Sequence, residues 1–295
     1  MDFRERAERE GRGDNSVNRR KNHACALRSC LLSGAIFAGC PAAFSQPSPA
    51  TSPKQQNQTE PSAVDRLTPY QKSQLDRILN DWPYLAKYRE ADKELGPPAA
   101  DEARVVFMGD SITEGWGEKA TATSPSRSEF FRGKPYVNRG ISGQTTPQML
   151  VRFRQDVIAL KPKVVVLLAG TNDIAENTGK TSLEAIEDNI ASMSELARAN
   201  GIRVVLCSVL PASDFSWRPG LMPAPKIKAL NAWIKEYAAK NGFVYVDYYS
   251  SMVNGQGGLK AELSPDGVHP NKAGYEIMAP LAETGIAEAL KKPLP

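Results

Sequence analysis

The sequence predicts an α/β protein in which a parallel sheet is covered by helices on both faces. Three observations carry this. Short apolar runs rich in β-branched residues recur between residues 104 and 247, each closing on Gly, Pro or a polar turn. Amphipathic stretches of helical length alternate with them. The run Val164-Val165-Val166-Leu167-Leu168 is apolar at every position, as a strand buried on both faces requires.

Taken in order, the strand candidates are 104–108, 136–140, 163–169, 202–209 and 243–247. The helix candidates are 147–160, 182–200, 223–240 and 271–291. Pro147 is suited to the first turn of the first of these. In the second, Leu183, Ile186, Ile190, Met193, Leu196 and Ala197 fall on one stripe that seeks a core. No internal repeat is visible.

The segment ahead of this unit reads differently. Residues 1–18 are charged and lack apolar periodicity. Arg19-Arg20-Lys21 and Arg28 then precede the apolar run Leu31 to Gly39, the layout of a secretory signal. That run is too short to span a bilayer as a stable helix. Residues 1–45 are therefore expected to be a signal segment with an over-long start, Val17 being a candidate true start. Cleavage after Ala43-Phe44-Ser45 would give a periplasmic or secreted protein. Phe37-Ala38-Gly39-Cys40 offers the alternative of a lipoprotein anchored through Cys40, although Leu is usual where Phe37 stands.

Residues 46–66, rich in Ser, Pro, Gln and Thr, read as a linker with too little apolar content to fold. Residues 67–98 are expected to be a helical extension. Thr68-Pro69 opens a helix with Leu75, Ile78 and Leu79 on one face, and 82–88 is expected to add a second helical piece. The pair is expected to wrap the main domain, 99–295.

Composition narrows the function classes. Net charge is +4, but the first 45 residues hold 8 of the 37 basic and 5 of the 33 acidic residues. The remaining 29 and 28 nearly cancel, so nucleic acid is not an expected partner. Three of the four cysteines, Cys25, Cys30 and Cys40, lie in the leader, so no disulfide framework is implied. Cys207 sits in an apolar run and reads as an inert core thiol. The only histidines are His23 and His269, which argues against a His-rich zinc site. No metal or cofactor is expected, and after processing any histidine chemistry falls to His269.

In open parallel sheets, ligands bind beyond the carboxyl ends of the strands. The first such end carries Gly109-Asp110-Ser111, which places a serine on a turn held by a rigid scaffold. The second carries Gly140 and Gly143, which permit close backbone approach and exposed amide donors. The third carries Asn172, a side-chain amide donor or a helix cap. Before the last helix stand Asp266 and His269. A loop of that length can fold so that the carboxylate meets one ring nitrogen, leaving the other to take a proton from a hydroxyl. Each stretch alone is also ordinary turn composition.

Together, Gly109-Asp110-Ser111, Ile141-Ser142-Gly143-Gln144-Thr145, Gly170-Thr171-Asn172-Asp173 and Asp266-Gly267-Val268-His269-Pro270 resemble the GDSL-type, or SGNH, hydrolases. The likeness covers roughly residues 104 to 290 and leans towards the lysophospholipase-like and platelet-activating-factor-acetylhydrolase-like bacterial branch. It implies a three-layer α/β/α, flavodoxin-like fold with five parallel strands. It implies Ser111 as nucleophile, His269 as general base then acid, and Asp266 as the group that orients His269. Ser111 N–H, Gly143 N–H and the Asn172 side chain would form the oxyanion hole. Asp110 would tie the turn down.

Gln144, where many members carry aspartate, is expected to alter local charge near the pocket. Trp116, Phe215 and Trp217 are candidates for the pocket wall. The implied activity is cofactor-free hydrolysis of short acyl esters, with acetylated sugars or lysophospholipid-type esters as substrates. Two alternatives are an acyltransferase on the same triad and a non-catalytic carbohydrate- or lipid-binding module on the same fold.

Overall fold

The computed structural model describes residues 64, 66–117 and 129–294. The expected leader, Cys40 and nearly all of the expected linker lie outside the described residues.

Five parallel strands form one sheet: β1 Val105–Gly109, β2 Tyr136–Gly140, β3 Val164–Leu168, β4 Arg203–Cys207 and β5 Val244–Val246. Their spatial order is β2-β1-β3-β4-β5. The chain leaves β1 towards one edge, returns, and continues on the other side. The switch point therefore lies at β1, where the crevice for a ligand opens in such sheets.

The helices are α1 Pro69–Asn80, α2 Arg89–Leu95, α3 Ser111–Gly115, α4 Thr146–Asp156, α5 Thr171–Ile174, α6 Leu183–Ala199, α7 Ala224–Asn241, α8 Tyr249–Met252 and α9 Lys272–Lys291. Alternation along the strands assigns the two faces. Val106, Met108, Val165, Leu167, Val204 and Leu206 pack with Met149 and Phe153 of α4, Ile190 of α6 and Ile227 and Leu230 of α7. Val105, Phe107, Val166 and Val205 face the other way, against Met278, Ala282 and Ile286 of α9 and an aromatic group containing Trp116 and Phe130. The result is three layers, with both sheet faces dry. This is why the strands read as continuous apolar runs.

Local chemistry sets the helix starts. Ser182 accepts the Ala185 N–H ahead of α6, and Asn271 accepts the Gly274 N–H ahead of α9. Thr145 and Gln148 form a reciprocal capping box at α4. Cys207 is buried, and burial pushes its thiol up to about 12, so it is an inert core residue.

Three sequence expectations need correction. Residues 82–88 form turns, and helix resumes only at Arg89. Most of the apolar face of α1 is not docked: Leu75 is half-buried, but Ile78 is 50% and Leu79 73% exposed. What holds the extension to the domain is the segment after α1, described below. The helix expected over 147–160 ends at Asp156, and a single 3-10 turn covers 158–160. Helices α3 and α5 are too short to show an apolar period and were invisible to pattern reading.

Candidate active site

The site is assembled at the carboxyl ends of β1, β2 and β3. β1 and β2 end in register on glycine, Gly109 opposite Gly140. A Cβ on Gly109 would lie 2.1 Å from Thr113 Oγ1, and one on Gly140 would lie 2.1 Å from the Glu114 backbone nitrogen. Only hydrogen fits beneath α3, so the two glycines allow the helix that carries Ser111 to lie directly on the strand ends.

Asp110 caps α3, its Oδ1 accepting the Ile112 N–H at 2.9 Å. Asp110 is fully buried, and burial pushes its carboxyl up to about 6. Ser111 follows with its Oγ 2.9 Å from His269 Nε2. His269 Nδ1 lies 2.7 Å from Asp266 Oδ2. The other oxygen, Oδ1, accepts the Val268 N–H at 2.9 Å and the His269 N–H at 2.8 Å. Ser264 Oγ donates to that same oxygen at 3.1 Å. Partial burial raises the Asp266 pKa, but these hydrogen bonds outweigh it and hold the carboxyl below its ordinary value. The last loop thus joins Asp266, His269 and Ser111 in one line.

Two further residues were expected at the site, and of these Asn172 reaches the turn that carries Ser111. Gly143 has φ +77°, a left-handed conformation that favours glycine. Asn172 is buried in α5, which starts at Gly170 (φ +121°), where a Cβ would press to 2.8 Å on Leu230. The Asn172 Nδ2 donates to Gln144 O at 3.0 Å and to Asp110 Oδ2 at 3.2 Å. Its Oδ1 accepts from Asn177 Nδ2 at 2.7 Å, and Asn177 Oδ1 accepts from Trp217 Nε1 at 2.9 Å. Residue by residue, the indole of Trp217 is tied to the Asn172 amide and through it to the turn that carries Ser111.

Nothing in the sequence singled out Asn177. The chain turns back to it through Glu176, which adopts a left-handed φ of +56°. Asp173 closes the other side of the site. It accepts both the N–H and the hydroxyl of Thr146 at the start of α4, and burial pushes its carboxyl up to about 6.

The pocket-wall candidates separate. Trp217 is 40% exposed, with its ring centroid 6.2 Å from that of His269. Trp116 does not face a pocket: it is buried, stacked between Phe130 and Tyr275. Phe215 is likewise buried in the core under Trp217. Both are large enough that core volume claims them. Gln144 also departs from expectation. It is buried, its Oε1 accepting from Arg152 Nε and its Nε2 donating to Pro83 O at 2.6 Å. Arg152, fully buried, pairs with Asp156 at 2.9 Å and donates to Gly109 O at 3.0 Å. Gln144 thus serves the interior support of the β1 end and does not set charge in the pocket.

A groove of about 790 Å³ lies elsewhere, against edge strand β2, lined by Lys87, Tyr88, Glu94, Glu114, Asn138 and Arg139 among others. None of Ser111, Asp266 or His269 lines it, so this groove is not where those three residues meet. Among the described residues, no group of three His, Cys, Asp or Glu side chains is arranged to hold a metal ion.

Comparison with known proteins agrees with the geometry. The model of the GDSL-like lipase/acylhydrolase family matches residues 107–277, more than half of the chain. A GDSL-like lipase from Bacteroides thetaiotaomicron, of known crystal structure, is 47% identical, with a TM-score of 0.66. That likeness covers 71% of this chain and all of the other. An acetylxylan esterase from Xylanibacter ruminicola is 27% identical over 68% of this chain and 45% of its own. The chain therefore spans less than half the length of that relative. Esterase TesA from Pseudomonas aeruginosa is 29% identical over 56% of this chain and 79% of its own.

Proposed function

The chain belongs to the GDSL-like lipase/acylhydrolase family, and from this we propose that it is a serine carboxylic-ester hydrolase working through an acyl-enzyme. The observation that carries the reading is the continuous line from Ser111 Oγ to His269 Nε2 and from His269 Nδ1 to Asp266, at 2.9 and 2.7 Å. A nucleophile, a base and a group that fixes the base's tautomer are all that acyl transfer to serine needs.

In this reading Ser111 Oγ attacks the ester carbonyl carbon while His269 Nε2 takes its proton. The tetrahedral oxyanion is met by the N–H groups of Ser111 and Gly143 and by the Asn172 amide. The longer of the two Asn172 bonds, 3.2 Å to Asp110, is the one that yields to the substrate. Collapse breaks the carbon–alkoxy bond, and His269 returns the proton to the departing alcohol. Water then attacks the acyl-serine, losing its proton to His269, and the acid leaves as Ser111 Oγ is reprotonated. The Asp266 carboxyl is held ionised by its hydrogen bonds, so it stabilises the imidazolium formed in each step.

The substrate we favour is a short acyl ester on a sugar. The similarity to an acetylxylan esterase supports it, as does an exposed indole fixed beside His269, suited to the face of a sugar ring. Lysophospholipid-type esters are the other candidates. The basic, apolar and small-residue succession at 19–45 supports an extracytoplasmic location. No helix among the described residues is long and apolar enough to cross a membrane.

The test is Ser111→Ala assayed on nitrophenyl acetate and on acetylated xylo-oligosaccharides. Turnover is expected to fall by about 10⁴-fold or more with an unchanged circular-dichroism spectrum. Retained hydrolysis would sink the assignment. A fluorophosphonate probe should label Ser111 and no other serine.

A further inference from the structure

At the tip of the loop that carries Gly143, between buried Ile141 and buried Gln144, two residues have little packing to hold them. Ser142 and Gly143 are both exposed, and nothing lies within 4 Å of the position a Gly143 Cβ would take. Hydrogen bonds must set its position instead. The Ser142 N–H donates to Glu114 Oε2 at 2.7 Å. Glu114 lies on α3, three residues after Ser111, and its own N–H is bonded to Asp110 O at 2.9 Å. One carboxylate therefore ties the helix bearing the nucleophile to the residue immediately before Gly143.

The second oxygen of Glu114 is held as well, by Lys87 Nζ at 2.5 Å. Lys87 belongs to the segment that follows α1. That segment lies outside the region matched by the family model. It is fastened to the catalytic end at point after point. Gln144, Gln148 and Gln155 donate side-chain amides to the carbonyls of Pro83, Trp82 and Leu85, at 2.6, 2.8 and 2.8 Å. The Tyr88 hydroxyl donates to the carbonyl of Gly140, at the root of the Gly143 loop. Arg139, next to Gly140, pairs with Asp92 and lies over the Tyr88 ring, 4.6 Å from its centroid. Residues 82–92 thus grip both ends of the loop and the carboxylate at its middle.

We propose that Glu114 and Lys87 are positioning residues for the Gly143 amide, and that the segment from Asp81 to Leu95 is a working part of the catalytic site. The inference rests on the reading of Gly143 as an oxyanion donor. Its physical content is that an oxyanion donor acts only at its correct distance, so freeing the loop weakens transition-state binding more than substrate binding.

The experiment compares Glu114→Ala, Glu114→Gln, Lys87→Met and the Glu114→Ala/Lys87→Met pair in the full chain. It measures kcat, KM, melting temperature and inhibition by an alkyl boronic acid, which adds to Ser111 as a tetrahedral adduct. Glu114→Ala should lower kcat by about ten- to a hundredfold with KM within about threefold, and boronate affinity should fall in parallel. Glu114→Gln keeps an acceptor for Ser142 and should retain most activity. Lys87→Met should lose about two- to tenfold alone and nothing further on top of Glu114→Ala.

A Glu114→Ala enzyme within twofold of wild type would overturn the proposal. So would a loss of kcat with unchanged boronate affinity, or a Glu114→Gln enzyme as impaired as Glu114→Ala. If Glu114→Ala fails to fold, Lys87→Met with rescue by Lys87→Arg decides the same question. Ser111→Ala separates the two readings: residual turnover there removes the nucleophile assignment itself. An inactive Ser111→Ala beside an unaffected Glu114→Ala removes only this inference.

Discussion

Asn172 holds its orientation through its neighbours. Its Oδ1 is taken by Asn177, so its Nδ2 points to the nucleophile turn. Asn177→Asp would set a carboxylate against that Oδ1 and favour the flipped amide, presenting oxygen to the oxyanion. We expect kcat to fall by roughly a hundredfold, comparable to losing one donor, while Asn177→Ala loses less. Steady-state kinetics on nitrophenyl acetate check this; equal activity for the two variants would refute the orienting role.

Asp110, in contact with the same amide, carries a pH signature. Its folded pKa of about 6 lies above the unfolded value, so folding favours its protonated form. The stability it contributes is complete below about pH 4 and is lost as pH rises through about 6, a change of about 3 kcal/mol. His269 and Asp173 act on it electrostatically in opposite senses. Urea unfolding of wild type and Asp110→Asn at pH 4 and pH 7 should therefore show the wild type losing ground to the variant at the higher pH. Lines that stay parallel would contradict it.

At this scale the sequence was informative where chemistry needs a rare residue. With two histidines and one of them in the expected leader, His269 had no rival. Asn177 and Glu114 were not legible, because an ordinary Asn or Glu in a loop or short helix carries no pattern of its own.

Among the elements, α3 has the tightest constraint. Its backbone rests on Gly140, where a methyl group would meet the Glu114 nitrogen and the carbonyl carbon of Thr113, atoms that cannot swing aside. Gly140→Ala should cost about 3 kcal/mol in urea unfolding and displace Ser111 enough to abolish hydrolysis. Beneath it, Arg152 and Asp156 form a buried pair that supports the Gly109 carbonyl. Arg152→Leu alone should cost about 3–5 kcal/mol by leaving Asp156 unpaired, whereas the Arg152→Leu/Asp156→Leu double variant should recover a large part of it. A double variant less stable than the single would show that the pair is net stabilising. The long elements were readable because their faces are wet or dry at a fixed period. The expected helix at 82–88 was not real, because its aromatic residues sit in turns held by side-chain amides of Gln144 and of Gln148 and Gln155 on α4, an arrangement without periodicity.

The whole molecule divides the work of its N-terminal region unevenly. α1 shows solvent its apolar positions Ile78 and Leu79, whereas the segment after it is fastened to the domain. Removing residues up to 80 should leave the melting temperature within about 3 °C and kcat unchanged. A large loss on that truncation would mean that α1 itself is structural.

The bond between Ser111 and His269 joins positions 158 residues apart. The proposed nucleophile is made early in synthesis, and its proposed base arrives only with the loop before α9. Until that loop emerges and α9 closes the far face of the sheet, the growing chain holds a serine with no partner to activate it. On the proposed mechanism, the order of the motifs gives the protein a built-in latency: a chain cut short before residue 269 is expected to be inert towards esters.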